Sequence, residues 1–252
     1  MQRRVRRLGR PVSNRLWHIE LSGYERLPAD GPAILCPNHV SFLDSAFLML
    51  TVPRNISFVG KAEYMDSWKT KYLFPAMGMI PIDRAGGDKS TAALDAAEQV
   101  LRRGELFGIF PEGTRSRNGD LHKGRTGAAR LAMKLDCPIF SVGVIGTDQI
   151  QPPDAKLPKL FRSCQIKIGR PVRPERYRGR GAEHIAWRSM IDEVMYEIRE
   201  LTGQTYVDSY AGAKAETEPT VAGRVSSVAE PIFESSSRAL AVERDLALVA
   251  GS

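Results

Sequence analysis

Short apolar segments alternate with amphipathic segments along most of the chain. Segments rich in Ile, Val, Leu or Phe predict strands at residues 17–22, 33–36, 56–59, 79–82, 106–110, 138–145 and 164–168. Apolar residues at helical spacing predict helices at 41–50, 89–103, about 128–135 and 183–202. Strands that alternate with helices favour an α/β fold, here a single domain in which helices cover a mixed, mainly parallel sheet.

The two ends of the chain differ from this central domain, which we expect to span residues 17–203. Residues 1–16 form a basic arm, in which six arginines surround a few apolar side chains. Two interpretations are open for this arm: contact with an anionic membrane surface, or a frayed and solvated segment. Residues 204–252 are rich in Ala, Ser, Glu, Thr and Pro and predict a disordered tail, although 238–249 could form a short helix.

The charge of the chain is unevenly distributed. The formal net charge is +7, and residues 204–252 contain seven acids and four bases, a net charge of −3, so residues 1–203 carry +10. Such a field favours an anionic partner: nucleic acid, acidic lipid or a phosphorylated substrate. The sequence contains no recognised nucleic-acid-binding pattern, so we expect no nucleic-acid partner.

Neither a membrane span nor a secretory signal is expected. No apolar run approaches the roughly 18 residues that a spanning helix needs, and the N-terminal arginines precede no apolar core segment. Cys36, Cys137 and Cys164 lack metal-ligand spacing and lie in or beside apolar strands, which predicts buried, reduced thiols.

A histidine and an aspartate follow the second predicted strand, in AILCPNHVSFLD. His39 lies in the loop and Asp44 in the first turn of the next helix, so the loop can bring the two side chains together. A carboxylate bonded to one ring nitrogen fixes the tautomer and leaves the other nitrogen as a general base. Alternatively, Asp44 is a structural acid that forms a capping box with Ser41.

The segment FPEGTRS, residues 110–116, also follows an apolar strand. Pro111 and Gly113 are typical of turns, and a solvated surface pair of Glu112 and Arg115 is the simplest interpretation. Because ligands of α/β proteins bind beyond the carboxyl ends of the strands, this turn and the His39 loop could instead face one cleft. In that case we expect Glu112 and Arg115 to face a ligand.

Several other basic side chains lie at predicted element ends, where arginine can bind phosphate and helix amino termini add N–H donors. They are Arg84, Lys123 and Arg125, with Lys61 as a further candidate. Each could be a solvated surface charge, but a phosphorylated substrate would explain the set together with Arg115. Ser41 is better explained as a helix cap than as a nucleophile, and no other protein nucleophile is evident. We therefore expect a base that deprotonates a substrate hydroxyl, and direct transfer of a group to that hydroxyl.

These motifs resemble those of the glycerolipid acyltransferases, over roughly residues 17–200. NHVSFLD resembles their His-x4-Asp motif, GMIPIDR their second motif and FPEGTRS their third. CPIFSVGV is similar to the fourth, with Ser141 where the family usually has a second proline. The resemblance is to the 1-acylglycerol-3-phosphate O-acyltransferase type, which implies transfer of an acyl chain from acyl-CoA or acyl carrier protein to lysophosphatidic acid, making phosphatidic acid.

The resemblance also implies a role for each matching residue. His39 would be the base and Asp44 would orient it, while the phosphate and glycerol would be held by residues of the second and third motifs: Arg84, Glu112, Gly113, Thr114 and Arg115. Pro138 would belong to the wall on the acyl-donor side. No metal and no bound cofactor are implied, and the protein would attach peripherally to the cytoplasmic face of the cell membrane.

Other functions are compatible with the same residues. A related enzyme could acylate glycerol 3-phosphate or another lipid or glycolipid hydroxyl, and a non-enzymatic protein could simply bind anionic lipid. The acyl chain length and the choice between coenzyme A and carrier protein have no signature in the motifs.

Overall fold

Alternating strands and helices build the protein in the computed structural model, which describes residues 1–61, 68–82, 89–155, 157–179 and 181–212. The strands are β1 His18–Ser22, β2 Ala33–Pro37, β3 Ile56–Lys61, β4 Met79–Ile82, β5 Leu106–Gly108, β6 Leu121–His122, β7 Ile139–Ile145, β8 Ser163–Val172 and β9 Tyr206–Val207. The helices are α1 Gln2–Leu16, α2 Leu43–Thr51, α3 Trp68–Met77, α4 Lys89–Arg102, α5 Gly127–Leu135, α6 Thr147–Ile150 and α7 Glu183–Thr202.

Seven strands form one sheet in the order β1-β8-β7-β2-β5-β3-β4. All neighbouring strands in it are parallel except β7 and β8, so the predicted mixed, mainly parallel sheet is confirmed. Because β2 and β5 are parallel neighbours, the segments that follow them leave the sheet at the same edge. The His39 loop and the FPEGTRS turn therefore meet, as the sequence predicted.

Each face of the sheet is covered by an apolar core. Alternate residues of β2 divide between the two cores: Ile34 and Cys36 face one, and Ala33 and Leu35 face the other. The first core is completed by α4, α5 and α7, and the second by α2. The three cysteines are free and buried, as predicted, and burial raises the pKa of the Cys137 and Cys164 thiols to about 12.

The basic N-terminal arm is a helix packed on the protein, which contradicts the interpretation of a frayed segment. Gln2 exchanges hydrogen bonds with the backbone of Ile56 at the start of β3, and Arg6 donates to the carbonyl oxygens of Val52 and Arg54. None of the helices within the described residues is long and apolar enough to cross a bilayer.

The folded domain also continues past residue 203, the end that its sequence predicts. Thr205 accepts a hydrogen bond from the backbone N–H of Leu121, and β9 pairs with β6. The chain divides into two units, Met1–Ala213 and Lys214–Ser252, the second of which lies outside the described residues.

Candidate active site

His39 and Asp44 form a hydrogen-bonded pair at the carboxyl edge of the sheet. Nδ1 of His39 lies 2.8 Å from Oδ2 of Asp44, and the imidazole is stacked on the Phe110 ring with 3.7 Å between centroids. The loop is fastened by the buried Asn38, whose side chain bonds the backbone N–H and carbonyl of Val144 on β7. The predicted approach of His39 to Asp44 is thus observed.

The Asp44 carboxylate is fully buried and has the structural role as well. Its Oδ2 also accepts hydrogen bonds from the backbone N–H groups of Val40, at 2.8 Å, and Ser41, at 2.9 Å. The Oγ1 of Thr147 on α6 donates to Oδ1 at 2.5 Å, a contact that no sequence motif indicated. Asp44 therefore orients His39 and also fastens the loop before α2. The N-cap of α2 is Phe42, without a side-chain cap hydrogen bond, so the predicted capping box with Ser41 is not confirmed.

Glu112 is packed inside the protein, in contrast to the expectation that it faces a ligand. Only 1% of its surface is exposed, and its two carboxylate oxygens accept hydrogen bonds from the backbone N–H groups of His39, at 3.1 Å, and His122, at 3.0 Å. The carbonyl of His39 accepts in turn from the N–H of Ser116 at 2.7 Å. Burial raises the pKa of Glu112 to about 7, against the opposing effect of the two backbone donors. Glu112 thus ties the His39 loop to β6.

A cavity of about 670 Å³ opens beside His39. Its polar part is lined by the backbone and side chains of the FPEGTRS turn and by the amino terminus of α5, including Thr114, Arg115, Arg125, Thr126 and Arg130. Its apolar residues come from β3, the start of β4, the end of β5 and α4, and include Phe58, Val59, Met79, Leu94 and Ile109. The cavity therefore offers both guanidinium groups and apolar side chains to a ligand.

Gly113 also lines this cavity, and its position requires glycine. Its φ is +79°, and a Cβ there would lie 2.9 Å from Nε of Arg125. The Arg125 side chain thus lies directly against the backbone of Gly113. The Arg125 guanidinium also lies over the Tyr210 ring, 5.1 Å from its centroid. Arg115 donates from Nη1 to the carbonyl of Pro153 at 3.3 Å.

Of the remaining predicted basic residues, the structure describes the side chain of Lys123 alone, and it does not join this group. Lys123 is absent from the cavity lining and forms an ion pair with Asp208, 2.8 Å away, which raises its pKa. Arg84 lies outside the described residues. Lys61 ends β3, and its side chain is also outside the described part.

Arg130 is a cavity residue that the sequence analysis missed. It lies on α5, with its guanidinium 5.3 Å from the centre of the Trp187 ring on α7. Its only sequence signal was a position one turn after the amino terminus of a predicted helix, which many solvated arginines share.

Pro138 does not reach the cavity. It precedes β7, and its carbonyl accepts a hydrogen bond from the N–H of Ile34 near the start of β2. Because β2 and β7 are parallel, Pro138 lies at the amino edge of the sheet, opposite the edge where His39 lies. The predicted place of Pro138 on the acyl-donor side is therefore wrong for this fold.

Comparison with known proteins supports the interpretation of these motifs. Residues 18–145, which include the His39 loop and the FPEGTRS turn, match the Acyltransferase family. The chain is similar to the chloroplastic 1-acyl-sn-glycerol-3-phosphate acyltransferase of Arabidopsis thaliana, with 30% identity over 157 residues, which cover 62% of this chain and 44% of that protein.

Two more relatives carry the same kind of name. A 1-acyl-sn-glycerol-3-phosphate acyltransferase of Borreliella burgdorferi is 28% identical over 52% of this chain and 52% of its own length. The alpha form from Mus musculus is 25% identical over 81% of this chain and 70% of its own length. The chain spans about half the length of the Arabidopsis and Borreliella relatives.

A solved structure shares the fold. The crystal structure of the 1-acyl-sn-glycerophosphate (LPA) acyltransferase PlsC from Thermotoga maritima matches with a TM-score of 0.64. The match has 24% sequence identity and covers 79% of each chain.

Proposed function

Because this chain belongs to the Acyltransferase family, we propose that it transfers an acyl chain from acyl-CoA or acyl carrier protein to the free hydroxyl of lysophosphatidic acid, making phosphatidic acid. The observation that carries the proposal is the His39–Asp44 pair beside a cavity lined by arginines and by apolar side chains. The names of the relatives agree with it.

His39 acts as the general base. With Nδ1–H donated to the Asp44 carboxylate, the other ring nitrogen, Nε2, is available to the acceptor hydroxyl. Nε2 takes the hydroxyl proton as the oxygen attacks the thioester carbonyl carbon, which forms a new C–O bond. The C–S bond then breaks, and the departing thiolate takes up the proton from the imidazolium. Asp44 stabilises the imidazolium between these two steps.

Arg115, Arg125 and Arg130 bind the phosphate of the acceptor in the cavity. Guanidinium groups bind phosphate through paired charge-assisted hydrogen bonds. The first N–H groups of α5, from Gly127 onwards, are directed along the helix axis and favour an anion at the same place. Arg84 and Lys61 remain proposed phosphate ligands whose side chains lie outside the described residues.

The apolar part of the cavity takes the acyl chain of the donor. Phe58, Val59 and Leu94 would remove its methylene groups from water, which favours binding at about 0.8 kcal/mol per buried group. We further propose peripheral attachment at the cytoplasmic face of the cell membrane. This proposal predicts release of the protein from membranes by high-salt and alkaline washes.

The test is an acyl-transfer assay with purified protein. Several acyl-CoAs and an acyl carrier protein donor are each offered with lysophosphatidic acid or glycerol 3-phosphate, and products are identified by mass spectrometry. Phosphatidic acid should form with the wild type, and His39→Ala should abolish it, whereas His184→Ala, a matched change of an exposed histidine on α7, should leave it unchanged.

Each alternative has its own outcome. Acylation of glycerol 3-phosphate or of another lipid, dependent on His39, would overturn the acceptor assignment and retain the acyltransferase chemistry. Vesicle binding without acyl transfer to any acceptor would favour the non-enzymatic lipid-binding protein.

A further inference from the structure

Two of the apolar residues of α1, Leu8 and Val12, are exposed, while Val5 and Leu16 are half-buried. The face that packs against the rest of the fold contains Gln2, Arg6 and the buried Ser13, and it is held by hydrogen bonds to the backbone around the start of β3. Leu8 and Val12 are 74% and 57% exposed. An amphipathic helix of a globular protein normally packs its apolar side inward. In α1 the side chains of Leu8 and Val12 are therefore available to an external partner.

A second exposed apolar segment lies at the carboxyl end of α1. In the loop before β8, Leu157, Leu160 and Phe161 are 80%, 48% and 78% exposed. Phe161 has a φ of +56°, a conformation that a phenylalanine rarely adopts. The loop is held in place because Phe161 N–H donates to the carbonyl of Leu16 and the Trp17 indole donates to the carbonyl of Lys159, both at 2.8 Å.

These two segments form one surface, which we call the insertion surface and define as Leu8, Val12, Leu157, Leu160 and Phe161. Val12 and Leu16 lie one helical turn apart on the same side of α1, and Leu16 is bonded directly to Phe161. Since large apolar side chains rarely cluster on the surface of a monomeric protein, such a group marks an interaction site.

Basic side chains surround the insertion surface. Arg4, Arg7 and Arg15 are exposed on α1, and Lys159 and Arg162 are exposed in the loop. None of the ion pairs found in the described part of the chain neutralises them. Apolar side chains flanked by Lys and Arg match the interface of a bilayer with anionic lipids. A second copy of the chain would instead bring like charges together.

We propose that the 157–161 loop, together with the exposed side of α1, inserts into the surface of an anionic lipid bilayer. Pro153, which lies four residues before Leu157 in the sequence, lines the cavity beside Arg115. Insertion of the loop would therefore bring this part of the cavity close to the lipid headgroups. This inference rests on the proposed function, which explains why the protein would bind lipid. Insertion itself does not require catalysis.

The test is co-sedimentation of the full chain with vesicles in the absence of acyl donor and acceptor. Vesicles of phosphatidylcholine with phosphatidylglycerol are compared with vesicles of phosphatidylcholine alone. Wild-type protein should bind the anionic vesicles, and Leu157→Ser with Phe161→Ser should lower the partition coefficient about tenfold or more, because two large side chains no longer enter the interface. Leu157, unlike Phe161, does not have a positive φ. Leu157→Ser alone should therefore lower the partition coefficient in the same direction but by less.

The matched control is Ile185→Ser with Tyr196→Ser on α7. Both residues are exposed large side chains, and α7 covers the opposite face of the sheet from the core next to α1 and α2. The control should bind vesicles like the wild type, and thermal unfolding should show that each variant is folded.

Equal vesicle binding by the folded loop variants and the wild type would overturn the proposal. It would also be overturned if the loop changes altered a monomer–dimer equilibrium in sedimentation velocity and left vesicle binding unchanged. Acyl transfer to a short-chain, soluble lysophosphatidic acid is measured in parallel. Loss of vesicle binding with that activity retained supports insertion, while vesicle binding by a wild type that transfers no acyl chain would refute only the proposed reaction.

Discussion

Asp44 binds the proposed base, His39, and holds the surrounding backbone with the same carboxylate. One oxygen accepts from His39 and from two backbone N–H groups, while the other accepts from Thr147. An asparagine could keep most of this arrangement, because its oxygen can face the three donors and its amide can donate to the Thr147 hydroxyl, which is also an acceptor. The charge that supports a protonated His39 would be lost.

We therefore expect Asp44→Asn to lower kcat by about 10²- to 10⁴-fold, as loss of the orienting carboxylate does in other histidine-based sites. The protein should remain folded. Steady-state kinetics on soluble substrate measures the effect, with Asp148→Asn, an exposed acid on α6, as the control. A kcat within a few fold of the wild type would mean that Asp44 only fastens the loop.

Glu112 gives the folded protein a pH dependence. Its folded-state pKa of about 7 lies above the ordinary value of 4.5, so between these pH values the folded state binds more protons than the unfolded state. Stability from this group is therefore lost as the pH rises from 4.5 to 7, by up to about 3 kcal/mol. Glu112→Gln removes the titration.

The free energy of unfolding of Glu112→Gln relative to the wild type should thus increase between pH 5 and pH 8. Urea unfolding at the two pH values measures this difference, and a constant difference would refute a raised pKa. Because Glu112 bonds the His39 loop and does not line the cavity, the variant should also lower kcat while the KM for the acceptor stays close to wild type.

At the scale of elements, α1 is held to the protein by polar contacts that can be tested singly. Arg6→Ala should destabilise the protein by about 1–3 kcal/mol, because the carbonyl groups of Val52 and Arg54 lose their charged donor. Arg7→Ala, the neighbouring exposed residue, should change stability by less than about 0.5 kcal/mol. Hydrogen exchange of the α1 amides should be faster in Arg6→Ala than in Arg7→Ala. Equal protection in the two variants would mean that the attachment of α1 does not depend on Arg6.

The central strands and helices could be predicted because their apolar side chains carry the periodicity of the element. The helix α1 could not, because the side it packs inward has residues such as Gln2, Arg6 and Ser13, which give no apolar pattern. The strands β6 and β9 have two residues each, too short for any alternation. Extended pairing prolongs β8 to Val172, beyond its predicted end at 168.

The site shows the same limit. The approach of His39 to Asp44 followed from a loop entering a helix, and the Arg115 turn followed from its place after an apolar strand. The burial of Glu112 could not be predicted from the sequence. Its partners are backbone N–H groups, which every residue except proline supplies. Lys123 has a partner 85 residues away in the sequence, Asp208, which only the tertiary fold brings near.

At the scale of the whole molecule, residues 204–212 connect the end of the domain to the candidate active site. Backbone hydrogen bonds join Leu121 to Thr205 and Lys123 to Ser209, on either side of His122 in β6. The N–H of His122 in turn donates to Glu112, which holds the His39 loop.

A protein that ends at Gly212 keeps these contacts, and one that ends at Gly203 loses them together with the contact of Tyr210 with Arg125. With roughly 1 kcal/mol for each of two or three hydrogen bonds, the shorter protein should unfold about 2–3 kcal/mol more easily than the longer one. Its acyl-transfer activity should also fall, because β6 no longer holds Glu112 firmly. Chemical unfolding and kinetics of the two truncated proteins measure both effects. Equal stability and activity would show that residues 204–212 contribute nothing to the domain, in keeping with the disordered tail that the composition predicts from residue 204.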